Sequence, residues 1–321
     1  MQALRVVSPG ELRVEQIPEP VAGASEVVVE LRCAALNRRD TYVRAGRYSS
    51  DLPLTPGSDG ARVRRDNGEE VVIDPSLRWG DAESAPGPGW EILGGPTDGT
   101  HAELVVVPES AVHPKPPRLS WEKAAALPLA GLTAYRALFV RGGLRAGETV
   151  LVLGAGSGVS TFLVQLAVQA GARALVTSSS QAKLDRAWEL GAGGGVLYTD
   201  DGWPTAVRDL AGGGVDLVVD SVGSTWAASL ETLRPGGRLV VFGGTGGQEA
   251  TIPVRPFFWE QLTMLGTTMG SPRDFAGLLR AVEAGTWSPV IDSVRPLADA
   301  IEAYDRIDGN DKFGKLVLDC R

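Results

Sequence analysis

The chain has 321 residues, 43% of them hydrophobic, with a formal net charge of −8. That length exceeds what one hydrophobic core usually serves, so two domains are expected, and the composition is that of a folded globular protein rather than a disordered one. The acidic balance argues against a nucleic-acid partner, which would need a concentrated Lys/Arg face.

The N-terminal stretch "MQALRVVSPGELRVE" meets charge at Arg5 and Glu11 before any long apolar run, so it lacks the core of a signal peptide and a cytoplasmic location is expected. Cys33 and Cys320 stand far apart without CxxC spacing, which fits a reducing compartment and gives no disulfide framework. From Arg5 to Glu30 and from Glu69 to Val107, short β-rich runs ("EVVVELRC", "EEVVIDP", "AELVVVP") alternate with Pro and Gly turns, as in an antiparallel β domain. The proline cluster "HPKPPRLS", His113 to Ser120, reads as a linker. Helical spacing follows over Trp121 to Arg141. Strands and helices then alternate through "TVLVLG", "TFLVQLAVQAG", "RALVTS", "QAKLDRAWELG", "VDLVVDS", "STWAASLETLRPGG" and "RLVVFGG". Apolar strands separated by helices indicate a parallel sheet covered on both faces. The tail from about Leu262 mixes helix with a last strand, "GKLVLDC". Thr149 to Ala172 carries no charge over a length that could span a bilayer, but its Gly, Ser and Gln content and central turn favour a buried strand followed by a helix. No membrane partner is expected.

In "VLVLGAGSGVSTFLVQLA" a buried strand runs into a glycine-rich turn that opens a helix, the context of a dinucleotide fingerprint. Gly154, Ala155, Gly156, Ser157, Gly158 and Val159 let backbone approach a pyrophosphate at a helix N-terminus, although Val159 and Ser160 stand where a strict GxGxxG has its third glycine. The next strand ends near Thr177, where an acidic residue would hold the ribose hydroxyls of NAD. Here the sequence reads "TSSSQAK". Ser178 and Ser179 can hydrogen-bond a 2′-phosphate and Lys183 can neutralise it, so NADPH is expected as the cofactor. Ser178 to Ser180 can equally cap the following helix, and the two roles are compatible.

Several blocks then fall in a telling order: "AALNRRDTYVRAGRY" (Ala34 to Tyr48), "LTPGSDGA" (Leu54 to Ala61), "DGTHAELVVVP" (Asp98 to Pro108), "AAALPLAGLTAYRAL" (Ala124 to Leu138), "DSVG" (Asp220 to Gly223) and "LRPGGRLVVFG" (Leu233 to Gly243). In this order they resemble the medium-chain dehydrogenase/reductase superfamily over essentially the whole chain, and within it the zinc-free quinone oxidoreductases. The resemblance implies an α/β fold. A GroES-like β-rich catalytic domain is expected at residues 1–120 and 262–321, and a Rossmann domain with a doubly wound parallel sheet at 121–261, with the active site in the cleft. It implies a homodimer or homotetramer. It adds Tyr198, which could equally be a plain strand residue, and Ser221, Val222, Phe242 and Gly243 to the cofactor set.

The resemblance also sets Asn37, Ser58 and Leu129 where zinc-dependent relatives carry Cys, His and Cys, and none of the three is a plausible zinc ligand. The lobe of a structural zinc would fall at Leu77 to Gly95, which contains no Cys. His101 and His113 read as structural. Without a Lewis acid the acceptor must spread its own negative charge, as quinones and α,β-unsaturated carbonyls do. By match to the family block, Asn37, Tyr42 and Tyr48 are expected at the nicotinamide, joined by Thr133, with Tyr42 the first choice as donor to the substrate oxygen. Asp40 and Arg44 are expected simply to pair and fix that loop, and Asp59 is a candidate base. The expected activity is NADPH-dependent, metal-free reduction of quinones or enones. An enoyl-thioester or 2-alkenal reductase of the same fold stands beside it; a CoA substrate would favour a basic entrance, which Arg38, Arg39, Arg44 and Arg47 could supply, although by default that cluster reads as surface charge. An NADPH-binding sensor or structural protein with little turnover is the alternative from another class.

Overall fold

The computed structural model describes residues 1–48, 50–247 and 249–321. In chain order it begins with strands β1 (Gln2–Ser8), β2 (Glu11–Gln16) and β3 (Glu26–Ala35), helix α1 (Arg38–Arg44), then β4 (Asp59–Arg64), β5 (Glu70–Ile73), β6 (Ser76–Leu77), β7 (Glu91–Ile92), β8 (Leu104–Pro108) and β9 (Val112–Pro114). Helices α2 (Trp121–Ala126) and α3 (Pro128–Tyr135) follow, and a π-helical turn covers Arg136–Arg141. Next come β10 (Thr149–Val152), α4 (Gly158–Gln169), β11 (Arg173–Ser178), α5 (Gln181–Glu189), β12 (Gly195–Leu197), α6 (Trp203–Ala211), β13 (Val215–Asp220), α7 (Trp226–Thr232), β14 (Leu233–Val241), α8 (Val254–Trp259) and β15 (Thr263–Gly266). The chain closes with α9 (Pro272–Ala284), β16 (Ile291–Pro296), α10 (Ala300–Ile307) and β17 (Lys315–Asp319).

Two compact units result, Met1–Leu132 with Gly270–Arg321, and Thr133–Met269. Both divisions differ from the expected boundaries at 120/121 and 261/262, for physical reasons that residue patterning did not carry. Helix α2 buries Ala124, Ala125 and Ala126 and packs on β3, β4 and β17, so it belongs with the β-rich unit. The stretch after Leu262 supplies β15, which pairs in parallel with β14. The proline cluster is no linker either: His113 and Pro114 pair with Val72 and Val71 at a sheet edge, where a missing N–H is tolerated.

The first unit is built on a seven-stranded sheet in the order β16-β17-β3-β4-β5-β9, with β8 also pairing β3. All of its pairings are antiparallel except β16 with β17. Its strands alternate buried and half-buried positions, as β3 does from Glu26 to Ala35, so one face feeds a core of Leu4, Val29, Leu31, Ile73, Tyr304 and Leu318. The second unit is a six-stranded parallel sheet in the order β12-β11-β10-β13-β14-β15. Its central strands are apolar on both faces, with Val150, Leu151, Val152, Leu217, Val218 and Val219 all buried, because helices cover the sheet on either side. The uncharged run from Thr149 to Ala172 is β10, a turn and α4. Among the described residues no helix is long and apolar enough to cross a membrane.

Candidate functional site

The strand order of the parallel sheet reverses at β10, whose neighbours are β11 on one side and β13 on the other. In such sheets ligands settle outside the carboxyl ends of the strands at this switch point. The glycine turn lies there. Gly154 and Gly156 take φ of +74° and +98°, a left-handed backbone that side-chain-bearing residues resist. The Gly154 amide donates to Thr177 Oγ1 at 3.2 Å and the Ala155 amide to the Thr177 carbonyl at 2.7 Å, which ties the turn to β11. Ser157 caps the twelve-residue α4, its Oγ accepting from the Ser160 amide at 3.0 Å. Gly158 and Val159 thus form the first turn of a helix whose unpaired amides and dipole favour an anion.

At the end of β11, Ser178 is buried and its Oγ accepts from the Ser180 amide at 3.2 Å, so its side chain fixes the turn rather than facing a ligand. The exposed hydroxyl is that of Ser179. Tyr198, 46% exposed, is held beside it by a bond from its own amide to the Ser178 carbonyl at 2.9 Å. Lys183 stands half-buried in the first turns of α5. Past β13, the buried Asp220 builds the next turn: Oδ1 accepts from the Val222 and Gly223 amides at 2.6 and 3.2 Å, and Oδ2 from the Thr225 and Ser229 hydroxyls at 2.7 and 3.0 Å. Ser221 carries on its carbonyl the Thr245 amide, and Phe242 donates its amide to the Asp220 carbonyl. Beyond the carboxyl ends of β13, β14 and β15 opens a cavity of about 480 Å³ lined by Gly223, Trp226, Phe242, Gly243, Met264 and Thr267. Asp220 as an organiser escaped the sequence reading, although its partners sit a few residues downstream.

In the first unit the seam between the end of β3 and the start of β17 gathers polar groups. The Leu36 amide donates to the Leu316 carbonyl at 3.0 Å, which brings Asn37 beside Lys315. Lys315, 2% exposed, donates to Asn37 Oδ1 at 2.6 Å and to Asp59 Oδ2 at 2.7 Å, and Asn37 Nδ2 donates to the same Asp59 oxygen at 2.8 Å. The other Asp59 oxygen accepts from the Leu129 amide at 2.7 Å, at the start of α3. With both oxygens committed, Asp59 has no geometry for the base role considered for it. Lys315 was missed in the sequence, where "FGKLVLDC" reads only as a strand.

Around this core, Asp40 clamps α1 by accepting from the Asn37 amide at 2.7 Å. Burial pushes its carboxyl up to about 6, with Asp59 adding and Arg39 opposing. Asp40 therefore does not pair with Arg44, which binds Asp305 at 3.1 Å. Arg38 pairs with Asp308, Arg39 turns inward to Ser58 Oγ at 3.0 Å and to the Leu93 and Gly95 carbonyls, and Arg47 stacks on the Tyr42 ring. The arginines that could have formed a basic entrance are thus largely spent on Asp305, Asp308 and internal carbonyls. Tyr48, 44% exposed, lies under Arg39. Thr133 is buried on α3, in the second unit. His101 is fully buried with Nδ1 3.0 Å from the Tyr304 hydroxyl, and burial pushes it down to about 3, which keeps the ring neutral.

The residues at the positions of the zinc ligands do not fit the ion. Asn37 Oδ1 already faces an ammonium, Ser58 Oγ donates to the Leu93 carbonyl at 2.7 Å, and Leu129 offers only an amide that is itself donated. Zinc requires converging lone pairs, and a buried cation stands against them.

The chain matches the alcohol dehydrogenase GroES-like domain over residues 23–117 and the zinc-binding dehydrogenase family over residues 158–284. It is 31% identical to a quinone oxidoreductase of Mus musculus, over 99% of this chain and 97% of that one. It is 32% identical to a zinc-type alcohol dehydrogenase-like protein of Schizosaccharomyces pombe, over 97% and 94% of the two chains. A crystal structure of an NAD-dependent alcohol dehydrogenase superposes with a TM-score of 0.94 at 40% identity, covering 99% of each chain. Fold and site define a nicotinamide-dependent oxidoreductase with a GroES-like and a Rossmann unit. The chain belongs to the medium-chain dehydrogenase/reductase superfamily, in its quinone oxidoreductase-like branch.

Proposed function

We propose that this chain is an NADPH-dependent, metal-free reductase of quinones or related conjugated carbonyls, working as a cytoplasmic homodimer or homotetramer. The observation that carries the reading is the donor set at Asn37, Ser58 and Leu129: amide and hydroxyl groups tied to Lys315, Arg39 and Asp59, with no group placed to act as a ligand. Such a set supports an acceptor whose negative charge is delocalised, because a hydroquinone anion or enolate spreads its own charge and needs less outside stabilisation than a localised alkoxide, so that hydrogen bonds without a metal suffice. The glycine turn and the start of α4 would hold the pyrophosphate. Ser179, Lys183 and Tyr198 would receive the 2′-phosphate, since the end of β11 places no carboxylate to repel it. When bound, NADPH supplies a hydride from its nicotinamide. Ser221, Val222, Phe242 and Gly243 border the cavity or its turn and would orient that ring, while Asn37, Tyr42, Tyr48 and Thr133 supply the polar groups of the reaction.

The alternative of a CoA thioester substrate is weakened by the pairing of Arg38 and Arg44 with Asp308 and Asp305. Reduction of a 2-alkenal remains compatible with the same donor set. An NAD-linked alcohol dehydrogenase is favoured by one observation, the 40% identity to the NAD-dependent alcohol dehydrogenase whose structure superposes on this chain. The test is the initial rate of NADPH oxidation by EDTA-treated protein with an ortho-quinone, a trans-2-alkenal and a simple alcohol–ketone pair, with NADH as control donor. A quinone rate that resists chelation and is selective for NADPH is expected. Binding of NADPH without oxidation by any acceptor would replace the reductase with a sensor, and a chelation-sensitive, NADH-linked ketone rate would replace it with an alcohol dehydrogenase.

A further inference from the structure

We propose that Lys315 is a positioning residue that locks the Asn37 side-chain amide in one orientation and so presents its second N–H as the hydrogen-bond donor to the acceptor oxygen. This rests on the reductase reading above. An ammonium donates and never accepts, whereas an ionised carboxylate only accepts. With Lys315 Nζ at 2.6 Å from Asn37 Oδ1 and Asp59 Oδ2 at 2.8 Å from Asn37 Nδ2, only one of the two amide orientations satisfies both neighbours. The flipped amide would set N–H against ammonium and carbonyl against carboxylate.

Asp59 in turn cannot rotate away, because its second oxygen holds the Leu129 amide and it is fully buried. The backbone adds its own constraint: Lys315 donates its amide to the Val290 carbonyl at 2.9 Å, and Asp40 grips the Asn37 amide at 2.7 Å. One Asn37 amide hydrogen is used by Asp59. The other has no acceptor among the described residues, on a residue that keeps 7% of its surface open. A donor held this way needs no reorganisation as negative charge develops on an acceptor oxygen. Lys315 itself has its ammonium committed to Asn37 and Asp59, so it acts through the amide.

Lys315→Met alone would leave the Asp59 charge buried without its partner and could unfold the unit. The informative variant is therefore Asp59→Asn/Lys315→Met, which removes both charges, keeps an acceptor for the Leu129 amide and frees or inverts the Asn37 amide. Its kcat with the quinone should fall by about 10²-fold, with the Kd for NADPH and the thermal midpoint close to those of the parent. Asn37→Ala should cost the same in the parent and almost nothing more in the double variant. Retention of parental kcat by the double variant, or equal losses from Asn37→Ala in both backgrounds, would overturn the proposal. A parent that oxidises no NADPH with any acceptor would sink the functional reading instead. The orientation lock then still has its own readout, the ¹⁵N-resolved side-chain amide hydrogens of Asn37: one protected and one exposed hydrogen in the parent, and loss of that distinction in the double variant. Identical amide exchange in the two proteins would refute the lock.

Discussion

Asp74 sits at the end of a buried strand, 2% exposed, with Oδ1 accepting from the Ser76 amide at 2.9 Å. Burial pushes its carboxyl up from 3.8 to about 8, with the neighbouring Asp274 raising it further and the Ser76 amide opposing. A carboxyl raised on folding binds its proton more tightly in the native state than in the unfolded one. Stability is therefore lost as pH rises through the window from about 4 to about 8, at close to 1.4 kcal/mol per pH unit for one proton. Asp74→Asn keeps the acceptor for the Ser76 amide and removes the titration. Relative to the parent, it should gain roughly 2.7 kcal/mol between pH 5 and pH 7, or about 5–10 °C in Tm for a unit of this size. Asp40, pushed up to about 6, titrates in both proteins and cancels in the difference. Urea unfolding of both proteins at the two pH values measures the gain directly. A stability difference that does not change with pH would refute the reasoning, because it would mean that the Asp74 carboxyl is ionised in the folded protein throughout.

Lys183→Ala should weaken NADPH binding by about 1.5–3 kcal/mol while leaving NADH binding nearly unchanged, since only the 2′-phosphate offers it a charge-assisted bond; fluorescence titration with both nucleotides checks this. Gly99→Ala should destabilise the first unit by about 2–3 kcal/mol, because a Cβ there would fall on the Gly57 carbonyl oxygen and within 2.6 Å of Gly94 Cα, and should also depress turnover by shifting Ser58 and Asp59 just beyond Gly57. Thermal melts and the quinone assay report the two effects. Native protein should resist thiol reagents at neutral pH, since both cysteines are buried and burial pushes the Cys33 thiol up to about 12; mass spectrometry after brief alkylation should find both unmodified until denaturant is added.

Local order in the sequence determined a great deal about this protein. A largely buried apolar run, two glycines with left-handed backbone and a helix with a serine cap lie within "TVLVLGAGSGVS", so the strand, glycine turn and helix were legible from a dozen residues. The alternation of apolar strands and helices likewise specified the parallel sheet, because its periodicities are properties of short segments. Asn37 could also be singled out as a polar candidate from its block. What it touches was not. Lys315 and Asp59 lie 278 and 256 residues apart from Asn37 and from Lys315 respectively, and a lysine opening a strand carries no local sign that it will be buried. The proline cluster misled for a related reason: proline forbids a central strand but not an edge, and only the sheet order shows that β9 is one. The cost of burying a charge depends on what faces it, and that is fixed only when distant strands pair; the tertiary structure alone therefore decided that Asn37 sits between Lys315 and Asp59, that the Ser178 hydroxyl holds the Ser180 amide, and that Arg38 and Arg44 are already paired.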